Sequence, residues 1–434
     1  MLAPNAISGI AMLEWPRLRP VDAFPVKQDG KTFIYLKDPL QLANPLGVTP
    51  AGYFIMSHFD GQHSFIDIQE KYSQQFGAVL LSDELRTFVQ MLDQHYYLDT
   101  PRFLDHQKTV IEEFRRMPTR TPAHAGGVYK KDPDGLKTQL DGYFLSPKGP
   151  GLPQLSRGVA IPKAIVAPHI DFQRGGPAYA WAYKCLAESE GADLYILLGT
   201  SHCAGRTPFI LTLKDFDTPL GLVETDKAFV TGLQEQCEQD LFADEYLHRG
   251  EHSLEFQVVF LKYIAQWRAQ MRGESERPFQ IVPILVSSFH PMVINRTVPE
   301  ETMAVKTVLQ ALRRLTAAET RRVCFVAGVD LAHVGQQFGD SEPITTEFLK
   351  WVEAEDHKLV DRLLALDAPG FFSEIAKDQD KRKICGFSPL YSLIYLLDGA
   401  RGNQLHYGQA FTPETGSAVT FTSTVFNETR SPKT

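Results

Sequence analysis

Four short apolar runs limit what this chain can fold into: "AIVAP" (164–168), "LYILLG" (194–199), "FQIVPILVS" (279–287) and "RVCFVAGV" (322–329). Near-continuous runs of four to eight residues rich in β-branched side chains read as strands buried on both faces. Helical patterns lie between them at 177–190, 226–238, 252–270 and 301–319. Strands alternating with helices predict an α/β domain whose sheet is at least partly parallel. In such sheets, sites form at the carboxyl ends of the strands. The first run is followed by His169 and Asp171, the second by Ser201, His202 and Cys203. The third ends at His290, and the fourth leads to Asp330 and His333. The chain has 13 histidines, so one after each of four strands is more clustering than composition requires.

At 434 residues the chain is too long for one ordinary core,. With 43% hydrophobic and 22% charged residues it has the balance of a globular protein,. A net charge of −8 and the lack of a basic stripe argue against a nucleic-acid surface,. Met1–Leu13 lacks the basic start and solid apolar core of a secretory signal, and no apolar run is long enough to span a membrane,. The five cysteines are scattered, with no Cys-x-x-Cys pair, and read as thiols in a reducing cytoplasm,.

Each candidate has a plainer reading. A single histidine after a strand is usually a turn or packing residue. His169 and His202 together point further, because imidazole is the commonest transition-metal ligand. His290 precedes a proline in an expected surface loop, and His58, His63, His95, His106 and His357 fall away from the strand ends. These read as structural. Cys385 stands in "KRKICGFSPLYSLIYLL", with Ser388 and Pro389 expected as cap and first residue of a helix,. A thiol ahead of a helix N-terminus and behind three basic residues (381–383) is expected to have a lowered pKa, suiting a ligand or nucleophile. Otherwise it is a small buried loop residue, as Cys185, Cys237 and Cys324 read. Glu251, His252 and Glu255 open the helix at 252, with His252 and Glu255 on one face. They read as ligands or acid/base groups, or as a charged first turn matched to the helix dipole.

The series "HAGGVY" (124–129), "QLDGYF" (139–144), "IVAPH" (165–169), "LGTSH" (198–202), "DTPLG" (217–221), "EHSLEFQ" (251–257), "DLAH" (330–333), "ICG" (384–386) and a closing "YGQA…SAVTFTSTVF" resembles the Memo family, known in bacteria as AmmeMemoRadiSam system protein B. The resemblance implies a fold similar to class III extradiol dioxygenases. It implies metal ligands at His169, His202 and Cys385, and an active-site histidine at His333 accompanied by Asp330. With a thiolate as third ligand, iron or copper is favoured over zinc. His252 is grouped with the catalytic residues, and Asp171, Ser201, Cys203 and Glu255 with the substrate pocket. The resemblance further implies a radical SAM protein and an AMMECR-type protein as partners. The chain departs from the family pattern in three places. Ile170-Asp171-Phe172 follows the first ligand, putting an added carboxylate near the metal. Cys203 stands where relatives carry a second histidine, and Phe387-Ser388 follows the cysteine where relatives can carry Arg-His. The leading expectation is a metal-dependent oxidoreductase. The alternatives are a peptide-binding protein with a vestigial pocket and a metal-assisted hydrolase.

Residues 1–104 are expected to form a separate small α+β domain. Thr32–Leu36 reads as a strand and Ala51–Met56 as a helix. A helix capped by Ser64 with Asp67 ends at Gly77,. A second, capped by Ser82, buries Leu85, Phe88 and Leu92, and an aromatic strand follows at Tyr96–Leu98,. This winged-helix-like pattern resembles PqqD-like domains, also called precursor-peptide recognition elements. That resemblance implies a bound peptide, against a plain structural or dimerisation role. Residues 105–122 are expected as a linker helix and proline-containing connector, and 123–434 as the Memo-like α/β domain.

Overall fold

The computed structural model describes residues 14–429 apart from 29 and 157, so Met1–Leu13 lies outside the described residues. The chain divides into two compact units, Met1–Arg116 and Met117–Thr434.

In the first unit, β1 (Asp22–Gln28), β2 (Lys31–Lys37) and β3 (Leu46–Val48) form an antiparallel sheet. Four helices follow: α1 (Pro50–Met56), α2 (Phe65–Phe76), α3 (Ser82–Gln94) and α4 (Pro101–Arg116). Ser64 and Asp67 close a capping box on α2, and Gly77 ends it at φ 61°,. Ser82 is the first residue of α3 rather than its cap. Leu81 takes the cap position because the Glu84 carboxylate accepts its N–H at 3.1 Å. The buried stripe of α3 is Leu85, Val89 and Leu92, with Phe88 only half-buried. The strand expected at Tyr96–Leu98 is a turn: Tyr96 has φ 65°, and only Leu98 bridges, to Leu18. Tyr97 faces the core instead, donating its hydroxyl to the Asn44 carbonyl at 2.7 Å.

The second unit contains β4 (Thr119–Arg120), α5 (Pro133–Leu145), β5 (Ala164–Ala167), α6 (Phe172–Glu188), β6 (Leu194–Thr200), β7 (Phe209–Leu211), β8 (Asp215–Phe216), β9 (Glu224–Thr225), α7 (Lys227–Glu235), α8 (His252–Arg272) and β10 (Gln280–Val286). It continues with α9 (His290–Asn295), α10 (Met303–Ala318), β11 (Val323–Gly328), β12 (His333–Gly335), α11 (Thr346–Leu364), α12 (Ala368–Ala376), α13 (Phe387–Leu396), β13 (Ala400–Thr412) and β14 (Ser417–Glu428). Residues 117–122, expected as connector, belong to this unit. Arg120 pairs through β4 with β8, and its side chain is buried.

The four apolar runs are the parallel centre of a mixed sheet, in the order β5-β11-β6-β10. Antiparallel β14 flanks β5, with β12 and β13 paired to β14, and antiparallel β7 flanks β10. Alternation along each strand divides the core between the two faces. Leu194, Ile196 and Leu198 pack with Val308 and Leu312 of α10 and Leu390 of α13. Tyr195 and Leu197 pack with Tyr179 and Tyr183 of α6 and Phe256 and Phe260 of α8. Helices thus cover both faces. No helix among the described residues is long and apolar enough to cross a membrane.

Helix α6 starts five residues before the pattern expected at 177–190 and takes in Gly175, Gly176 and Pro177, because Asp171 caps it by accepting the Arg174 N–H at 3.1 Å. The start of α8 rests directly on β11. A Cβ on Gly328 would stand 2.5 Å from the Ser253 carbonyl oxygen and 2.6 Å from Gln257 Nε2. Gly328→Ala must push α8 off the sheet, and we expect a loss of about 1–3 kcal/mol. A lower urea midpoint for the second unit's transition is the check.

Candidate metal centre

Because β5, β11 and β6 are adjacent and parallel, the residues that leave their carboxyl ends converge. His169 follows β5, Asp330 follows β11 and His202 follows β6. The fourth contributor arrives from far along the chain. The Gly386 N–H donates to the Asp330 carbonyl at 3.1 Å, and a Cβ on Gly386 would stand 2.4 Å from that same oxygen. Only a glycine lets the backbone come this close. Thr200 Oγ1 donates to the Cys385 carbonyl at 3.2 Å. Cys385 Sγ is thereby set 3.3 Å from His169 Nε2.

Both imidazoles are held by one nitrogen. His169 Nδ1 lies 3.0 Å from the Gly328 carbonyl, which fixes the proton on Nδ1 and leaves the Nε2 lone pair outward,. His202 Nδ1 lies 3.0 Å from both Glu251 oxygens. A carboxylate behind a ligand histidine is the usual orienting partner at metal sites. One ligand atom from each of His169, His202 and Cys385 falls in a set within 4.8 Å of one another. Two imidazole nitrogens and a thiol sulfur suit a borderline or soft transition metal. His202, Glu251 and His252 form a second such group. There the Glu251 carboxylate is already engaged, accepting the N–H groups of His202, His252 and Ser253 at 3.1, 2.8 and 3.0 Å. This second group therefore orients the first.

Burial dominates the electrostatics. It pushes the pKa of His169 down to about 3, with the His202 charge adding to it, and holds His252 well below its usual value. Both rings are thus neutral, as a ligand such as His169 must be. Burial opposes ionisation of Glu251, but His202, His252 and the Ser253 N–H outweigh it and keep the carboxyl well below the usual range. Asp330 is pushed up to about 6 by burial. Its Oδ1 accepts the His169 N–H at 3.0 Å, and Oδ2 lies 3.6 Å from His169 Nε2. His333 is lowered by burial against the pull of Asp330. Its Nδ1 sits 3.2 Å from the Leu331 carbonyl, and its ring meets Phe338 edge-on at 5.0 Å. Asp330 therefore acts on His333 through charge, while its hydrogen bond goes to His169.

The lowered thiol expected for Cys385 is reversed. Burial, with Asp330 beside it, raises Cys385 well above its usual value. The basic residues ahead of it are occupied elsewhere, Arg382 by buried Asp356 and Lys383 by Asp340 at 2.5 Å. The cap of α13 is Gly386, one residue after the thiol. Ser388 accepts the Phe289 N–H at 2.8 Å, and Pro389 lies inside the first turn.

The expected pocket residues separate. Asp171, half-exposed, caps α6 and holds Arg174 Nε at 2.6 Å, so its carboxylate serves the helix. Ser201 donates to the Cys203 carbonyl at 2.8 Å, fixing the turn that presents His202. Glu255 is buried with Arg120 at 2.6 Å and accepts from Ala123 N, His124 N and the Tyr129 hydroxyl, a structural hub beneath the site. His252 stacks on His202 with centroids 4.6 Å apart and lies 5.1 Å from His169. His290 opens α9 and faces Asp380 at 3.6 Å. Glu251, expected as a ligand, an acid/base group or part of a charged first turn, instead caps α8 and holds the His202 ring. Its place directly before an apolar helical pattern was the available signal. His124, whose Nε2 lies 3.0 Å from the Gly250 carbonyl and whose ring is 5.8 Å from His252, was carried only by its motif.

A carboxyl whose pKa is higher folded than unfolded destabilises the fold as it ionises. For Asp330, stability is lost as pH rises from about 4 to about 6,. In chelator-treated protein, Asp330→Asn should remove this loss. The stability difference between wild type and variant should shift by on the order of 2–3 kcal/mol across that window. Urea titrations at each pH measure it, and a constant difference would contradict the assignment.

Residues 120–425 match the family described as Memo-like protein. A MEMO1 family protein of Aquifex aeolicus is 26% identical over 95% of this chain and 99% of its own length, so that match reaches into the first unit. One from Methanopyrus kandleri is 32% identical over 63% of this chain and 85% of its own. A third, from Methanosarcina barkeri, is 26% identical over 67% and 92%. With the family match covering more than half of the chain and every residue of the candidate centre, the chain belongs to the Memo family.

Proposed function

We propose that His169, His202 and Cys385 hold one transition-metal ion, iron or copper in preference to zinc, and that the protein is a metal-dependent oxidoreductase. One observation carries this reading. His169 Nδ1 is tied to the Gly328 carbonyl, which turns its Nε2 toward Cys385 Sγ 3.3 Å away, and ligand atoms of His169, His202 and Cys385 lie within 4.8 Å of one another. An ion with three protein ligands keeps positions open and would supply Lewis-acid or one-electron chemistry. The protein's own groups do the rest. His333, kept largely neutral, takes a proton at a ring nitrogen and returns it, with the Asp330 charge favouring its protonated form,. His169 is buried and rigid, whereas the His202 side chain is 38% exposed, so substrate reaches the centre from the His202 side. His252, stacked on His202, is the second proton-handling group on that side.

The wider reading rests on the family resemblance. It includes a fold similar to class III extradiol dioxygenases, a radical SAM protein and an AMMECR-type protein as partners, and a PqqD-like, winged-helix-like amino-terminal unit that takes a peptide. A cytoplasmic location is supported by the lack of any disulfide among the described cysteines,.

Metal analysis of protein purified with and without oxygen tests the centre. Near-stoichiometric iron or copper is expected in the wild type. Cys385→Ala and His169→Ala should each lower affinity by at least about tenfold. Metal-free wild type, or variants that retain the same metal, would overturn the reading. Metal-dependent oxygen uptake with candidate substrates then separates oxidation from hydrolysis.

A further inference from the structure

Away from the three ligands, a cleft of about 990 Å³ opens between β12, the start of α11 and the segment 379–383. This is at the upper end of the size that encloses a small organic ligand. One wall is apolar: Val334, Pro343, Phe348 and Trp351. Phe348 and Trp351 stack with centroids 5.5 Å apart and planes 28° off parallel, and Trp351 is left 42% exposed. A large aromatic held in place by a neighbouring ring yet open to solvent is a ready stacking platform.

The opposite wall has an unusual backbone. Gln379, Asp380 and Lys383 all have positive φ, at 58°, 55° and 51°. Three left-handed non-glycine residues within five positions are costly, and such strain gathers at functional sites. Gln379 is partly explained as the end of α12, where the Asp380 N–H reaches back to the Ile375 carbonyl. Lys383 is not explained in that way. The segment is pinned by the Ile384 N–H donating to Asp380 at 2.9 Å and the Lys383 N–H donating to the Asp380 carbonyl at 2.8 Å.

Most charges lining the cleft answer one another. His290 faces Asp380 at 3.6 Å, Lys383 holds Asp340 at 2.5 Å, and Arg382 is paired with buried Asp356. Among the described residues, Lys381 and Glu342 have no ion-pair partner within 4 Å. The cleft therefore offers one aromatic platform, one cation and one anion.

We propose that this cleft binds an aromatic amino acid, or an aromatic zwitterion of the same form, with its ring on Trp351 and Phe348, its carboxylate toward Lys381 and its ammonium toward Glu342. The site does not depend on the metal reading, and the two can fail separately.

Calorimetric titration of the full chain, with and without chelator, uses three probes: L-phenylalanine, phenylacetate and 2-phenylethylamine. Phenylalanine should bind about tenfold more tightly than either single-charge probe, irrespective of chelator. Trp351→Ala and Phe348→Ala should each weaken it by about tenfold or more. Glu342→Gln should bring phenylalanine and phenylacetate to within about twofold of each other, and Lys381→Met should do the same for phenylalanine and phenylethylamine. Absence of saturable binding at millimolar phenylalanine overturns the proposal. So does unchanged binding in both aromatic variants, or equal affinity for all three probes.

Discussion

The Glu251 carboxylate joins the fold to the chemistry. It caps α8 through the His252 and Ser253 N–H groups, and it holds His202 by both backbone and ring. A negative charge is favoured at a helix N-terminus and also favours the basicity of a ligand imidazole, so one group meets two requirements at once. Helix α8 is itself anchored along eleven buried residues and against β11 at Gly328. The orientation of His202 thus inherits the rigidity of the core, although its loop is partly exposed.

One turn further along α8, Glu255 repeats the device in a drier setting. Its pairing with Arg120 is buried on both sides, and it gathers the N–H groups of Ala123 and His124 and the Tyr129 hydroxyl. Arg120 in turn donates to the His248 and Glu251 carbonyls, at 2.5 and 2.7 Å. A buried pair of this kind adds little net stability over apolar packing, but losing one partner costs about 3–5 kcal/mol. Its structural effect is to pin residues 117–129 under the centre, which brings His124 beside His252.

The parallel strands were legible because strands buried on both faces must be almost wholly apolar, and their carboxyl ends could be read directly from where each run stops. His169, His202 and His333 were read as candidates from that rule and Cys385 from its place ahead of a helix, and the family pattern joined them into one site. What failed was the inference of electrostatics from sequence neighbours. Lys381, Arg382 and Lys383 precede the thiol in the chain, but Arg382 and Lys383 are drawn to Asp356 and Asp340. Asp171 follows His169 by two residues but is the cap of the next helix. Tyr96–Leu98 has strand-like composition, yet the left-handed Tyr96 turns the chain so that Tyr97 can reach the carbonyl of Asn44. For the basic residues and for Tyr97 a longer-range partner decided the outcome, and for Asp171 the N–H of Arg174 three residues on did.

The direction of the shifts at the centre carries a further consequence. Cys385 and Asp330 are both pushed toward their neutral, protonated forms, and burial is the larger cause for each. The buried imidazoles are pushed toward neutrality as well, leaving Glu251 as the group held firmly ionised. The protein groups taken alone thus favour few charges in a cluster rich in acidic and nucleophilic atoms. A cation placed among the ligand atoms reverses that balance, stabilising thiolate and carboxylate together. Binding must then release the Cys385 proton, and affinity should rise with pH more steeply than a site of neutral ligands would allow. Under the proposed metal reading, the burial that makes the thiol a poor nucleophile would require a metal whose charge can ionise it,.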